Sequence, residues 1–371
     1  MRLTSLRQVM ANMSPGPERH SLRSRGGLDS MLVTQPENRR YVSGFTGSNG
    51  VLIITGQRQA IATDFRYYQQ VQSECPDWEL FRVGYDLEGH LLDILSDMGL
   101  AGKSVGFEAG HVSVDQLHNW ERALQGRVRL LNTMGMVEAL RMVKDERELQ
   151  AIRQAVRLAD EALDHIYAWM QPGMTERQVA WELETTMRMR GAEKAAFDLL
   201  VGSGPNGALP HLSPGERAIQ LGEPVVMDLG CVVDGYCSDV TRTVCLGEPQ
   251  DDKYLEVWNL VLRAQETAIA RLKAGIAGPD GDKLARDVIV AGGYGDYFGH
   301  GLGHSVGLAI HENPRLGFAY PGQVPAGAVV TVEPGVYLPE WGGVRHEDLV
   351  VFHEGGVEVL TAAPKVAVLD R

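Results

Sequence analysis

A glycine-rich segment near the C-terminal end of the chain contains three histidines. Its sequence is H-G-L-G-H-S-V-G-L-A-I-H-E, which places His300, His304 and His311 within residues 300–312. Imidazole is a common metal ligand and proton carrier near neutral pH, and glycine lets the backbone approach a ligand closely. Alone, the segment is equally compatible with a solvated glycine-rich turn. The helical zinc motif H-E-x-x-H is absent, so any metal ligands must be spread along the chain.

Four acidic residues next to or within apolar, strand-like segments make the metal interpretation stronger. They are Asp228 in V-V-M-D-L, Asp239 across a predicted hairpin turn, Glu333 at the end of V-V-T-V-E, and Glu347 before the strand L-V-V-F. A single buried carboxylate is usually a satisfied core residue, because burying one without a partner is costly. Two neighbouring carboxylates repel each other unless a cation lies between them. Together with a histidine, the four acids therefore predict a metal site.

The chemistry of these candidate ligands indicates the kind of metal. Carboxylates and one imidazole are hard, oxygen-rich ligands, which favour Mn(II) or a similar divalent ion over a thiolate-bound structural zinc. Five such ligands could hold two ions about 3.5–4 Å apart, the spacing used in two-metal hydrolysis. The residue types therefore predict two divalent metal ions, most simply Mn(II), with Zn(II) or Co(II) as alternatives.

Composition restricts the function classes. The 371 residues carry a net charge of −13, with 44% hydrophobic and 22% charged residues. A surplus of acid argues against nucleic-acid or anionic-membrane partners, because phosphate binding needs excess Lys and Arg. No apolar run approaches the ~20 residues of a membrane-spanning helix. The four cysteines form no C-x-x-C pair, so we expect a reduced, cytoplasmic protein.

Two regions must position these residues. Strand-like segments at 30–34, 51–55, 60–63 and 104–107 alternate with a helix at 87–98, which predicts a compact α/β domain. Capping boxes at Asp145 and Thr175 then begin two amphipathic helices. From Pro224 onward, strand patterns predominate: 225–229, a strand at 236–244 carrying Asp239, 328–333 and 349–352, with helices at 254–273 and 282–291. We place the domain boundary near Leu140 and expect a second, α+β domain with a largely antiparallel sheet.

Several segments resemble the pita-bread metallopeptidases, the group that contains aminopeptidase P, prolidase, methionine aminopeptidase and creatinase. The matching segments are V-V-M-D-L-G-C-V-V-D-G-Y-C-S-D-V-T-R-T, H-G-L-G-H-S-V-G-L-A-I-H-E-N-P, T-V-E-P-G-V-Y, G-G-V-R-H-E-D and V-G-S-G-P-N-G-A-L-P-H. The segment N-R-R-Y-V-S-G-F-T-G-S-N-G at 38–50 is similar to the N-terminal domain of the proline-specific members. The resemblance implies a creatinase-like domain at 1–140 and a pita-bread catalytic domain at 141–371.

The resemblance also assigns roles to individual residues. It implies metal ligands at Asp228, Asp239, His304, Glu333 and Glu347. It places His211, His300 and His311 in the substrate site, where they orient the scissile carbonyl and the leaving nitrogen, and it places Arg345 beside the last ligand. Glu333 is expected to accept a proton as well as to bind metal. All five ligands are present, which disfavours a metal-free creatinase-type reaction.

These assignments predict an exopeptidase that hydrolyses the N-terminal Xaa-Pro bond of small peptides. Aminopeptidase P is favoured over prolidase, a strict dipeptidase, because of the segment 41–50; Arg345 could serve either enzyme by binding substrate. A non-catalytic binding protein on the same scaffold is the other alternative, and loss of metal ligands would mark it. The resemblance implies a homodimer. The polar segment 14–27 reads as an extra loop that could restrict the cleft of a neighbouring subunit.

Overall fold

The computed structural model describes residues 2–12 and 27–371. The chain divides into two compact units, Met1–Arg141 and Met142–Arg371. All but the last residue of the predicted loop at 14–27 lies outside the described residues, so its expected role at a neighbouring cleft stays a prediction. No helix in the described part of the chain is long and apolar enough to cross a membrane. The four cysteines are buried and free.

The first unit is an α/β domain built on one mixed six-stranded sheet, with strand order β4-β3-β2-β1-β5-β6. Its elements are α1 (Arg2–Asn12), β1 (Ser30–Val33), α2 (Pro36–Ser43), β2 (Val51–Thr55), β3 (Gln59–Thr63), α3 (Tyr68–Glu74), β4 (Glu79–Arg82), α4 (Leu87–Asp97), β5 (Ser104–Glu108), α5 (Val114–Leu124), β6 (Arg129–Thr133) and α6 (Met136–Arg141). The predicted strands and the helix at 87–98 are found within one residue of their expected bounds.

Helix α2 has no counterpart among the predicted elements. Its residues are mostly polar, so its apolar periodicity is weak. A contact distant in sequence stabilises its start: the buried carboxylate of Glu108, at the end of β5, accepts hydrogen bonds from the backbone N–H groups of Thr34 and Gln35 at 2.6 and 2.8 Å. The helix ends at Gly44, whose φ of 84° is the left-handed conformation that favours glycine.

The second unit combines helices with four sheets. Its elements are α7 (Glu146–Trp169), α8 (Glu176–Met189), β7 (Lys194–Ala195), β8 (Leu200–Ser203), β9 (Pro224–Leu229), β10 (Cys231–Val233), β11 (Tyr236–Cys237), β12 (Val240–Leu246), α9 (Lys253–Ile269), α10 (Gly278–Ala291), β13 (Gly303–Ser305), β14 (Glu312–Leu316), β15 (Val329–Val332), β16 (Gly335–Leu338), β17 (Gly342–Arg345), β18 (Asp348–His353), β19 (Gly356–Val359) and β20 (Val368–Leu369). The sheets have the strand orders β11-β10-β7, β20-β12-β9-β8, β14-β13-β15-β18-β19 and β16-β17. Every pairing is antiparallel except β12 with β20.

Two hydrophobic clusters support the sheets of this unit. The apolar faces of α7 and α8 pack with β8, β9 and β12, and those of α9 and α10 pack with β15 and β18. Both predicted capping boxes are present: Asp145 begins α7 and Thr175 begins α8. The helical periodicity of the sequence therefore has the expected cause, burial of one face of each helix against a sheet.

The predicted single strand at 236–244 is wrong in one respect. The strand is interrupted at Ser238 and Asp239, which separate β11 from β12. Ser238 instead bonds back to β10: its N–H donates to Cys231 O at 2.9 Å, and its Oγ accepts from Cys231 N at 3.0 Å. Because of these bonds to β10, Asp239 lies outside the strand pairing. The alternation of apolar residues in the sequence gives no sign of this interruption.

Candidate active site

The five candidate metal ligands come from both halves of the second unit. Asp228 lies in β9 and pairs with Thr241 of β12, while Asp239 immediately precedes β12. His304 is the middle residue of β13, Glu333 directly follows β15, and Glu347 directly precedes β18. Adjacent strands β9 and β12 explain the proximity of the two aspartates. Strands β13, β15 and β18 belong to the other large sheet.

The arrangement around His304 is suited to a cation. Asp239, His304 and Glu347 each offer a ligand atom within 4.8 Å of the others. His304 Nε2 lies 3.6 Å from Asp239 Oδ2 and 3.4 Å from Glu333 Oε1. Its Nδ1 is 3.3 Å from the carbonyl oxygen of Ser305, which can only accept, so Nδ1 carries the proton.

The protonation state of His304 also favours a bound cation. Burial, with a contribution from His311, lowers its pKa to about 3, so the ring is neutral at physiological pH. Its Nε2 lone pair therefore faces two carboxylates. Without a cation this contact is favourable only where a carboxyl group keeps its proton, whereas a cation between the groups would allow both carboxylates to ionise. Neutral imidazole with carboxylates is a ligand set that divalent ions prefer. The residues present fit a divalent metal.

The pKa values and contacts of the carboxyl groups also favour a bound cation. Burial raises the pKa values of Asp239 and Glu347 well above their usual range, and the neighbouring acids raise them further. Burial likewise raises the pKa of Glu333 to about 7. Asp228 Oδ1 is buried and has no hydrogen-bond partner within the described residues. A cluster of acids with one orphaned oxygen is costly without a cation.

Arg345 is the cation that contacts this cluster directly. Its guanidinium donates to Asp228 Oδ2, to Thr241 Oγ1 at 2.9 Å and to Tyr337 Oη at 3.0 Å. Thr241 Oγ1 in turn donates to Glu347 Oε2 at 2.6 Å. Arg345 is only 4% exposed, so it acts as an internal support that orients two of the acids.

His300 is connected to the same network through Tyr337. His300 Nδ1 lies 2.8 Å from the carbonyl oxygen of Gly301, and its Nε2 lies 2.9 Å from Tyr337 Oη. Burial, aided by the charge of Arg345, lowers the pKa of His300 to about 4. The ring is therefore neutral, and its Nε2 accepts the tyrosine proton. A direct contact of His300 with substrate would require one of these hydrogen bonds to be exchanged.

The two other candidate histidines are exposed to solvent. His311 packs edge-on against His304, with ring centroids 4.4 Å apart. Burial is the main cause of the lowered pKa values of His300 and His311, and both also respond to the charge of His211. The structure thus places His311 beside the candidate ligand His304 and leaves both His211 and His311 exposed.

Three supporting residues were given no role by the sequence. Thr241 and Tyr337 link Arg345 to Glu347 and His300, and Thr331 Oγ1 accepts from His304 N at 3.0 Å and donates to Glu333 Oε1 at 3.1 Å. All three lie within or beside the segments that carry the ligands. Their position in these segments was the only feature of the sequence that could have indicated a role for them. Their hydrogen bonds depend on the tertiary fold.

Comparison with known proteins identifies the family of the chain. The model of the creatinase/prolidase N-terminal domain matches residues 19–143, and that of metallopeptidase family M24 matches residues 150–354. The chain belongs to metallopeptidase family M24. The predicted combination of a creatinase-type domain with a pita-bread domain is confirmed, and M24 membership implies divalent metal ions.

Several M24 relatives are similar over nearly the whole chain. The Xaa-Pro dipeptidase of Pyrococcus furiosus is 34% identical over 336 residues, which are 90% of this chain and 93% of the relative. The solved structure of an Xaa-Pro dipeptidase from Bacillus anthracis has a TM-score of 0.91 at 36% identity and covers 99% of each chain. That of an X-Pro aminopeptidase from Thermotoga maritima has a TM-score of 0.84 at 38% identity, over 92% of this chain and 97% of the other.

Proposed function

We propose that this chain is a dinuclear metal-dependent exopeptidase that hydrolyses the N-terminal Xaa-Pro bond of peptides. The observation that carries the proposal is the neutral His304, whose Nε2 faces Asp239 and Glu333 at 3.6 and 3.4 Å. A non-catalytic binding protein on this scaffold would have no need for such a set of ligand atoms. The relatives that act on Xaa-Pro and X-Pro substrates support the substrate class.

The proposed ligands are Asp228, Asp239, His304, Glu333 and Glu347. Bound divalent ions would supply Lewis-acid polarisation of the carbonyl and a lowered pKa of water. Four carboxylates to one imidazole favour Mn(II) on the basis of ligand hardness. Thr241 and Thr331 hold Glu347 and Glu333 through the hydrogen bonds described above, so the acids are oriented by neighbours that carry no charge.

Glu333 is the proposed proton carrier. Its pKa of about 7 in the protein without metal reflects burial and the charge of Asp228, opposed by Arg345. A carboxyl group that stays near this value takes up and releases a proton close to neutral pH, which is what transfer to the leaving nitrogen requires. In an Xaa-Pro bond that nitrogen has no N–H, so the site needs a donor there and no acceptor.

His211 and His311 are proposed to bind the carbonyl oxygen as negative charge develops on it. Both rings are exposed to solvent, so they are accessible to a peptide. Donors placed where charge develops stabilise a transition state more than the ground state. His300 would contribute through Tyr337, because the hydrogen bond of 2.9 Å between them fixes both side chains.

Substrate length depends on what binds the end of the peptide beyond proline. Arg345 is an unsuitable candidate, since its donors are directed at Asp228, Thr241 and Tyr337. Arg315 is exposed and lies opposite His304 in the β13–β14 pairing. Its side chain makes no hydrogen bond or ion pair within the described part of the chain. Burial is the main cause of the lowered pKa of His311, and the charge of Arg315 lowers it further. A guanidinium at this position could bind the C-terminal carboxylate of a dipeptide. A strict Xaa-Pro dipeptidase is therefore the second candidate function.

The test is hydrolysis of Ala-Pro and Ala-Pro-Ala-Ala at equal concentration after metal loading. Xaa-Pro cleavage of either peptide supports the proposed function, and cleavage of neither contradicts it. If Arg315 binds the dipeptide carboxylate, Arg315→Gln should raise KM for Ala-Pro by about tenfold and leave KM for the tetrapeptide unchanged. Arg147→Gln, an exposed arginine of α7, is the control. Equal KM changes for both peptides would exclude the carboxylate-binding role.

A further inference from the structure

The segment that carries His211 is connected to a buried glutamate on another element. Glu176 lies in the first turn of α8 and is fully buried. Its Oε1 accepts hydrogen bonds from Ser203 N and Ser203 Oγ, both at 2.9 Å, and from Asn206 Nδ2 at 3.0 Å. Its Oε2 accepts from Asn206 Nδ2 at 3.1 Å and Gly215 N at 3.3 Å. One carboxylate therefore bonds both ends of the loop 203–215, which we call the His211 loop.

The tip of the His211 loop depends on these ends for its position. Leu209, Pro210 and His211 are exposed, and the backbone bonds near the tip, such as Leu209 N to Asn206 O at 3.0 Å, are local. The His211 side chain makes no hydrogen bond within the residues that the structure describes. An imidazole with no bond of its own is placed by its backbone alone, so the ends of the loop determine where the ring lies.

Other contacts also hold the ends, and one of them, the hydrogen bond from Arg217 Nη1 to Ser203 Oγ at 2.6 Å, links the first end to the residues just beyond the second. At the first end, a Cβ on Gly343 would overlap the carbonyl oxygen of Gly207, so β17 packs directly on the loop. At the second end, Arg177 N donates to Gly215 O at 3.0 Å. The carboxylate of Glu176 accepts from both ends, and bonds to an ionised acceptor are stronger than neutral ones.

We propose that Glu176 is a positioning residue for His211, an inference that rests on the proposed function. The negative carboxylate holds the two ends of the His211 loop at a set separation and thereby aims the ring at the reacting carbonyl. Both side-chain oxygens of residue 176 must be hydrogen-bond acceptors, because each of them faces N–H donors. Misplacement of a catalytic group by about 1 Å can cost on the order of a hundredfold in rate.

The decisive variant is Glu176→Gln, which preserves size. Whichever way the amide is turned, its NH₂ group faces the N–H donors of one end of the loop. We expect kcat for Ala-Pro to fall by about tenfold, while Mn(II) content is unchanged because the proposed ligands lie outside the loop. Glu184→Gln makes the same chemical change at a half-exposed position of α8, where the side chain pairs with Arg188, and should have normal kcat.

A double-mutant cycle separates positioning from general destabilisation. If Glu176 acts through His211, adding Glu176→Gln to His211→Ala should change kcat by less than about twofold, because residues that act as a unit are not additive. A double variant whose kcat falls by the product of the two single effects would overturn the proposal. If Glu176→Gln does not fold, Asn206→Ala, which removes two of the five bonds, replaces it in the same cycle.

A measurement that needs no turnover distinguishes this proposal from the proposed function. Amide hydrogen exchange should become faster at 204–215 in Glu176→Gln and stay at the wild-type rate in Glu184→Gln. Unchanged exchange at 204–215 in Glu176→Gln would overturn the anchoring. If the wild-type protein cleaves no Xaa-Pro peptide, the proposed function fails, and the exchange result still decides whether Glu176 anchors the His211 loop.

Discussion

The elevated pKa of Glu333 makes the stability of the metal-free protein depend on pH in a specific way. Burial raises this pKa from 4.5 to about 7. Between these two values the folded protein keeps the proton, whereas the unfolded chain releases it. The folded state therefore binds more protons in this range, and the contribution of Glu333 to the free energy of unfolding falls as pH rises. Glutamine has no proton to lose, so Glu333→Gln abolishes this contribution.

The size of the effect follows from the shift. One pKa unit corresponds to about 1.4 kcal/mol, so the wild-type protein should lose about 3 kcal/mol relative to Glu333→Gln between pH 4.5 and pH 7. The quantity to follow with pH is the difference in the free energy of unfolding between the wild-type protein and Glu333→Gln. His304, with its pKa lowered to about 3, makes stability rise with pH up to about 6.5, and this opposite slope is common to both proteins.

The assay is urea unfolding of both proteins in chelator across this pH range, with the free energy of unfolding obtained by linear extrapolation. Glu354→Gln, at an exposed position between β18 and β19, controls for the loss of one carboxylate. Two Mn(II) ions, each at a hundred times its Kd, should stabilise the folded wild-type protein by about 5 kcal/mol. This exceeds the loss of about 3 kcal/mol at pH 7, and the variant lacks a proposed ligand, so saturating Mn(II) should make the wild type the more stable protein at pH 7. A difference that stays constant from pH 4.5 to pH 7, or that favours the wild type as pH rises, would refute the reasoning.

Three further predictions concern the metal site. Asp239→Asn should lower metal content and activity together, by at least the tenfold to hundredfold typical of outer-shell changes; full occupancy with normal turnover, measured by metal analysis and Ala-Pro hydrolysis, would contradict this. His300→Ala should keep its metal and lose about a hundredfold in kcat, whereas loss of metal would mean that the wrong histidine was assigned as ligand. Chelation should abolish hydrolysis and Mn(II) should restore it at least as well as Zn(II); restoration by Zn(II) alone would reverse the metal preference.

Local sequence patterns predicted most elements because their causes are local. Apolar periodicity located α7 and α8, and the capping boxes at Asp145 and Thr175 located their first residues within one position. The patterns failed where a particular hydrogen bond outside the regular periodicity, whether distant or local, decides the conformation. Helix α2 depends on Glu108 at the end of β5, and the interruption at Ser238 depends on its bonds to Cys231. Neither contact leaves a periodic signal in the chain.

By itself, the sequence determined the family and the types of residue available for the chemistry: four acids at strand ends, a glycine-framed histidine segment and no thiolate motif. Tertiary structure alone decided what each group faces. It directs the unprotonated Nε2 of His304 at two carboxyl groups and the donors of Arg345 at the protein's own side chains. Within the described residues, it leaves the side chain of Arg315 without a hydrogen bond or ion pair. It also brings Glu176 to both ends of the His211 loop. The physical reason is that charge, hydrogen bonding and burial at the site arise between segments a hundred or more residues apart, such as Thr241 and Glu347, and their meeting depends on how the sheets pack.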